Sequence, residues 1–63
     1  MLLDHDWEKG DRARIKQGCE FAGSIIRVIG KAVYINQWWV PVIDPEDVDE
    51  PSFYKASCLE LVD

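Results

Sequence analysis

Histidine and cysteine, which commonly carry catalysis or bind metals, are few in this chain. The one histidine, His5, lies between Asp4 and Asp6, and no further ligand follows at a metal-binding spacing. Cys19 and Cys58 match no zinc pattern, and no nucleophile has a base beside it. We therefore expect no catalytic residue and no metal site. We also expect both cysteines to stay reduced and to act as small packing residues.

A run of acids is the strongest local charge feature. Five of the seven residues from Asp44 to Glu50 are acidic, and the prolines in residues 44–52 predict a loop. Three interpretations stay open: a plain solvated loop, a divalent-cation loop, and an acidic surface for a basic partner. A calcium loop needs a glycine at its sharp turn, and this run has none. The acids that would rim a binding surface are Asp44, Glu46, Asp47, Asp49 and Glu50.

Large aromatic residues are too numerous for one small core, since the chain has three Trp, two Tyr and two Phe. Residues 38–43, WWVPVI, read as a strand that is apolar on both faces, although only one face can point inward. Pro41 has no N–H, which indicates an edge position or a bulge. Trp and Tyr commonly anchor interfaces. The aromatic residues predicted to form a binding surface are Tyr34, Trp38, Trp39, Phe53 and Tyr54.

The spacing of turns and strands predicts an all-β fold. After the Gly10-Asp11 turn, Ala13 and Ile15 alternate with cationic residues, which is typical of a half-buried strand. A glycine-bracketed loop follows, and Phe21 is the only large apolar residue available to anchor it. Further strands are predicted at 24–29, 38–43, 52–55 and 59–62, with a short extended piece at 32–35 and a 3₁₀ turn at 56–58. Five short strands in this order predict a small SH3-like barrel over residues 10–63. An N-terminal arm, residues 1–9, lays Trp7 against it.

Charge and length limit the function classes. The 63-residue chain has a net charge of −5, with six Lys/Arg against five Asp/Glu in residues 1–31 and one against seven in residues 32–63. This acidity disfavours nucleic-acid binding. The N-terminus lacks the pattern of a signal peptide and no segment is long enough to span a membrane, which predicts a cytoplasmic protein. So short a chain buries only about 60% of the surface that its unfolded form exposes. Self-association would bury more surface, so we expect a homo-oligomer.

Several segments resemble type II dihydrofolate reductases, the small plasmid- and integron-borne enzymes that confer trimethoprim resistance. They are GDRAR at 10–14, the loop with Phe21 and Gly23, the aromatic third strand, and YKASCLELV at 54–62. The resemblance implies four SH3-like chains around a central pore in which NADPH and dihydrofolate meet. The residues it places at that pore are Lys16, Ser52 and Tyr54.

The family's pore strand reads Val-Gln-Ile-Tyr, whereas residues 51–54 read PSFY, so only Tyr54 is kept. Ser52 stands where a glutamine should reach both ligands. Phe53 would narrow the pore, and the neighbouring acids would repel the phosphates of NADPH. We therefore expect no reductase activity and retain an NADPH-binding pore as an alternative.

The pattern GCEFAG at 18–23 also resembles the loop of KOW modules. This second resemblance implies contact with RNA or a ribosomal protein through Arg12, Arg14, Lys16 and Arg27. The function we predict is a non-enzymatic SH3-like interaction module without a cofactor, an accessory product of a phage or another mobile element. Its aromatic, acid-rimmed surface would bind a second copy or a basic or proline-rich protein partner.

Overall fold

The fold is taken from a computed structural model, which describes residue 3 and residues 5–44 and 47–62. These residues form six strands and one short 3₁₀ helix. The strands are β1 (Arg12–Ile15), β2 (Ile25–Val28), β3 (Val33–Ile35), β4 (Gln37–Asp44), β5 (Asp47–Lys55) and β6 (Leu59–Val62), and the 3₁₀ helix is Ala56–Cys58. The predicted all-β class and the 3₁₀ turn before the last strand are confirmed. The short extended piece predicted at 32–35 is β3, which makes the sixth strand.

All strand pairs are antiparallel, and β4 is the strand that joins the sheet together. It pairs with β2, β3 and β5, while β1 lies between β2 and β6. The sheet is not closed into the predicted SH3-like barrel, because β5 and β6 each pair with a single strand in the described part of the chain. Three edges, those of β3, β5 and β6, therefore remain open.

The core lies on one face of this sheet, as the alternating pattern of the strands predicts. We call that face the inner face and the opposite one the outer face. In β1 and β2, inner residues such as Ala13 and Ile26 are buried and face each other, while their neighbours are exposed. The predicted packing of Trp7 on the sheet is confirmed. Among the residues that the structure describes, the buried ones are Trp7, Ala13, Ile15, Ile26, Val28, Val40, Val42 and Leu59.

Pro41 indicated an edge position or a bulge, and the edge position is wrong, while the β4–β5 ladder has a register shift just after Pro41, between Val42 and Asp44. β4 is the most central strand, and Pro41 lies between its β2 ladder and its β3 ladder. The Pro41 carbonyl accepts a 2.9 Å hydrogen bond from the N–H of Ile29, where the β2 ladder ends. In an antiparallel strand the N and the C=O of one residue point toward the same neighbouring strand. The position of the missing N–H of Pro41 therefore faces the side of β2 and β3, where β4 changes from one partner to the other. No ladder bond to β5 is lost.

The loop predicted for residues 44–52 is also wrong over most of its length. Residues 47–52 belong to β5, which extends the predicted fourth strand toward its N-terminus and pairs with β4 through a register shift between Val42 and Asp44. Acids and proline are compatible with this strand because it is an edge strand. Charged side chains stay in water there, and Pro51 needs no second ladder partner.

The turn between β3 and β4 centres on Asn36. This residue has a φ of 64°, in the left-handed region that asparagine tolerates better than most residues. Tyr34 and Trp38 lie opposite each other across this turn, with ring centroids 5.3 Å apart in an edge-to-face arrangement. On the other face, Nε1 of Trp39 donates a 3.1 Å hydrogen bond to the carbonyl of Ile35. We call residues 33–39 the β3–β4 hairpin.

None of the described residues form a helix with the length and apolar character needed to cross a membrane.

Candidate functional site

A cleft of about 350 Å³ opens on the inner face, between the β1–β2 connection and the β4–β5 hairpin. Its floor consists of core side chains from three strands, Ile15, Ile26 and Val42. The strands converge here because each contributes one inward-pointing residue to the same end of the sheet. The exposed lining of the cleft is more polar than apolar, and a concave site with a few convergent polar groups can orient a ligand.

β5 supplies one wall of the cleft. Glu50, Ser52 and Tyr54 of this strand all line the cleft, and Asp44 lies near them at the end of β4. Tyr54 is half-buried and packs against the core, while Glu50 and Asp44 are exposed. The wall therefore has one aromatic ring, two hydroxyl groups and two carboxylates.

The opposite wall is formed by Phe21 and Ser24 of the β1–β2 connection. Phe21 is 65% exposed, so the prediction that it anchors this connection to the core is wrong. Its φ of 63° lies in the left-handed region, and the connection also turns at Gly18 and Gly23, both with positive φ. The N–H of Gly23 donates a 2.7 Å hydrogen bond to the carbonyl of Ile15, which fixes the end of the connection.

The anchor of this connection is a disulfide between Cys19 and Cys58, whose Cα atoms are 6.0 Å apart. The prediction that both cysteines are reduced is therefore wrong in this structure. Thirty-nine positions separate them in sequence, and the strand order that brings them together was not visible from spacing alone. Cys19 also packs against the core, as predicted for a small apolar residue. The disulfide thus ties the Phe21 wall to the 3₁₀ turn.

The five aromatic residues predicted to share a surface are divided by the fold. Tyr34 and Trp38 lie together on the β3–β4 hairpin, on the inner side, and Tyr54 lines the cleft. Trp39 and Phe53 lie on the outer face, where the pairs Trp39–Lys55 and Pro41–Phe53 make them diagonal neighbours. Only Tyr54 contributes to the cleft. Sequence reasoning missed Phe21 and Ser24, although their position in a glycine-bracketed loop was a usable signal.

The acidic rim is brought to the cleft only in part. Asp44 and Glu50 line it, whereas Asp49 is exposed on β5 and is not among the lining residues. Glu46 and the side chain of Asp47 lie outside the described part of the structure. Of the residues predicted for a reductase-like pore, Ser52 and Tyr54 line the cleft and Lys16 does not.

The basic residues predicted for an RNA contact lie mainly on the outer face. Arg12 and Arg27 face each other across β1 and β2, and both are exposed. Arg14 lies 3.5 Å from Glu60 in an exposed ion pair, which lowers the net positive charge of this face. Lys16 follows β1 and is half-buried, and its N–H donates to the carbonyl of Cys58. RNA binding through these residues stays a prediction.

The N-terminal arm is held by a local network around Asp11. Its carboxylate accepts hydrogen bonds from Nε2 of His5 at 2.8 Å and from the N–H of Glu8 at 3.1 Å. These two bonds, that of His5 first, hold the pKa of Asp11 below its usual value. The His5 ring also packs edge-to-face on the buried Trp7, with centroids 4.7 Å apart. His5 is therefore held against the folded chain through Asp11 and Trp7.

No group of three His, Cys, Asp or Glu side chains in the described ranges could hold a metal ion. The chemistry available in the cleft is thus hydrogen bonding by hydroxyls, packing on aromatic and aliphatic groups, and attraction of cations by two carboxylates.

Comparisons with protein-family models, with curated proteins and with solved structures found no match. The two resemblances drawn from the sequence stay predictions, and function is inferred from the cleft itself.

Proposed function

We propose that this protein is a non-enzymatic interaction module whose cleft binds a short segment of a protein partner, with an apolar side chain next to a lysine or arginine. The observation that carries this proposal is a cleft in which the carboxylates of Asp44 and Glu50 lie near the exposed ring of Phe21, above the buried side chains of its floor. An apolar side chain of the partner that packs on Phe21, which is exposed, would remove hydrocarbon surface of both molecules from water.

The charge of the partner follows from the mouth of the cleft. Glu50 lies on the wall and Asp44 beside it, while no lysine or arginine lines the cleft in the described part of the chain. Carboxylates at an interface favour cationic partners and reject anionic ones. Phe21 and Tyr54 add aromatic faces on which an alkyl chain or a guanidinium group can pack.

The same charge argues against the NADPH alternative. Tyr54, the one pore residue that matches the reductase pattern, lines the cleft, but the two carboxylates beside it would repel the phosphates of the cofactor. Titration with NADPH, followed by calorimetry, tests that alternative directly. Saturable NADPH binding that is lost on Tyr54→Ala would favour the pore over the protein-binding cleft.

The proposed function is tested by calorimetric titration with three blocked tripeptides, Lys-Leu-Lys, Gln-Leu-Gln and Glu-Leu-Glu. We expect affinity to fall in that order. Glu50→Gln should weaken binding of Lys-Leu-Lys by about two- to five-fold, the range of an exposed ion pair. Asp49→Asn removes the same charge from the same strand outside the cleft, and it should change that affinity far less.

Two results would overturn the proposal. One is equal affinity for the cationic and anionic peptides, because the cleft would then have no charge preference. The other is an equal loss of affinity in Glu50→Gln and Asp49→Asn, because binding would then depend on net charge rather than on the cleft.

A further inference from the structure

The β3–β4 hairpin presents an uncharged apolar surface, which is unusual in a chain with 30% charged residues. The three residues of β3, Val33, Tyr34 and Ile35, are 44%, 55% and 63% exposed. No charged residue occurs from Ala32 to Ile43. Contiguous exposed apolar surface of this kind typically marks an interface.

The open edge of β3 differs from the two other open edges. β5 carries acids, Pro51 and Lys55, and β6 carries Glu60, which are the features that discourage pairing between strand edges. β3 has none of them. Within the described residues, β3 pairs with β4 alone, so the backbone on its other side is available to a further strand.

We propose that two copies of this chain associate by antiparallel pairing of β3 with β3 of the second copy. A two-fold axis near Tyr34 would place Val33 of each copy opposite Ile35 of the other. Such a pair is self-complementary, because each edge offers the same sequence in the reverse direction. It would join the two sheets and bring the two Tyr34–Trp38 ring pairs side by side.

The distribution of charge favours association of two copies at this hairpin over association at another edge of the sheet. With a net charge of −5, two copies repel each other wherever their acids meet, as they would at the β5 edge. At the uncharged hairpin the electrostatic cost is smallest. An acidic or basic partner would gain nothing from this surface, since it has no charge to complement.

The size of β3 is consistent with a modest dimer. This strand has only three residues, so pairing it with a second copy buries less than the about 800 Å² that each partner buries in a standard stable interface. We therefore expect a reversible dimer that dissociates on dilution.

Sedimentation equilibrium over a range of protein concentrations tests this proposal. Wild type should change from monomer to dimer mass as concentration rises. Ile35→Lys places a charge on the edge and should weaken dimerisation at least ten-fold. Phe53→Lys is the matched control, because Phe53 is 60% exposed on the outer face, and it should dimerise like wild type. A monomer at every concentration, or equal weakening by both variants, would overturn the proposal.

Amide hydrogen exchange of the wild-type protein gives a second test that needs no variant. Exchange at residues 33–35 should slow as concentration rises, while exchange at the β5 and β6 edges should not. Protection that grows at β5 or β6 instead would assign the interface to another edge and overturn the pairing through β3.

Discussion

Cys19 and Cys58 form a disulfide that joins the β1–β2 connection to the 3₁₀ turn before the last strand. It closes a loop across 39 positions and holds the chain that carries Phe21, one wall of the cleft. In a chain with eight buried apolar residues among those described, a cross-link of this length is a large part of the stabilisation.

Reduction of this disulfide should lower the free energy of unfolding by about 4 kcal/mol, the loop-closure entropy expected for a loop of this length. Urea unfolding with and without a thiol reductant measures the change. The double variant Cys19→Ser, Cys58→Ser should be as unstable as the reduced protein and should not respond to reductant. An identical midpoint for oxidised and reduced wild type would contradict this expectation.

Trp7 is the largest side chain of the core and comes from the N-terminal arm. Trp7→Ala should cost about 3 to 5 kcal/mol, comparable with the whole stability of about 3 to 9 kcal/mol expected for 63 residues. The variant should therefore be largely unfolded by circular dichroism at room temperature. Phe53→Ala, an exposed aromatic truncation, should stay within about 0.5 kcal/mol of wild type. A well-folded Trp7→Ala protein would show that the arm is dispensable.

The network around Asp11 should make the stability depend on pH in the acid range. Its folded-state pKa lies below the ordinary value of 3.8, because the charged form accepts the bonds of His5 and Glu8. The contribution is therefore complete above pH 3.8 and is lost as the pH falls through the lowered pKa. Asp11→Asn should lower stability by about 1 kcal/mol at neutral pH.

Thermal unfolding between pH 2 and pH 7 measures this effect. The difference between wild type and Asp11→Asn should shrink toward the acid end, where both side chains are neutral. A difference that stays constant across this range would show that the carboxylate charge is not what holds the arm.

The turn at Asn36 offers a test of backbone conformation. With a φ of 64°, the position suits asparagine or glycine and strains a β-branched residue. Asn36→Val should lower the free energy of unfolding by about 1 to 2 kcal/mol, whereas Asn36→Gly should be nearly neutral. Denaturant unfolding of the two variants compares them. Equal stability would mean that the turn adopts another conformation in solution.

The sequence predicted those parts of the fold that depend on local patterns. Alternation placed Ala13 and Ile15 inside, and the solitary Trp7 in a polar segment was correctly assigned to packing on the sheet. Prediction from the sequence failed where contacts between segments distant in sequence determine the structure. Pro41 is tolerated in a central strand only because β4 changes partner there, and residues 47–52 extend along β4 despite their acids.

The candidate site was less predictable than the fold. From the sequence, Tyr54 was predicted to belong to an aromatic surface or, with Ser52, to a pore. An acidic rim was predicted to include Asp44 and Glu50, and the fold brings all four residues into one cleft. Phe21 was assigned to the core because it is the only large apolar residue of its loop. The disulfide removes the need for that anchor and leaves the ring exposed, which no local pattern could indicate.

The proposed cleft is tested most directly by two-dimensional ¹H–¹⁵N NMR during titration with the blocked Lys-Leu-Lys peptide. We expect saturating shifts at the amides of Phe21, Ser24, Glu50, Ser52 and Tyr54, with little change at Arg12 and Arg27 on the outer face. Shifts confined to the outer face, or no saturable shifts at any residue, would contradict binding in the cleft.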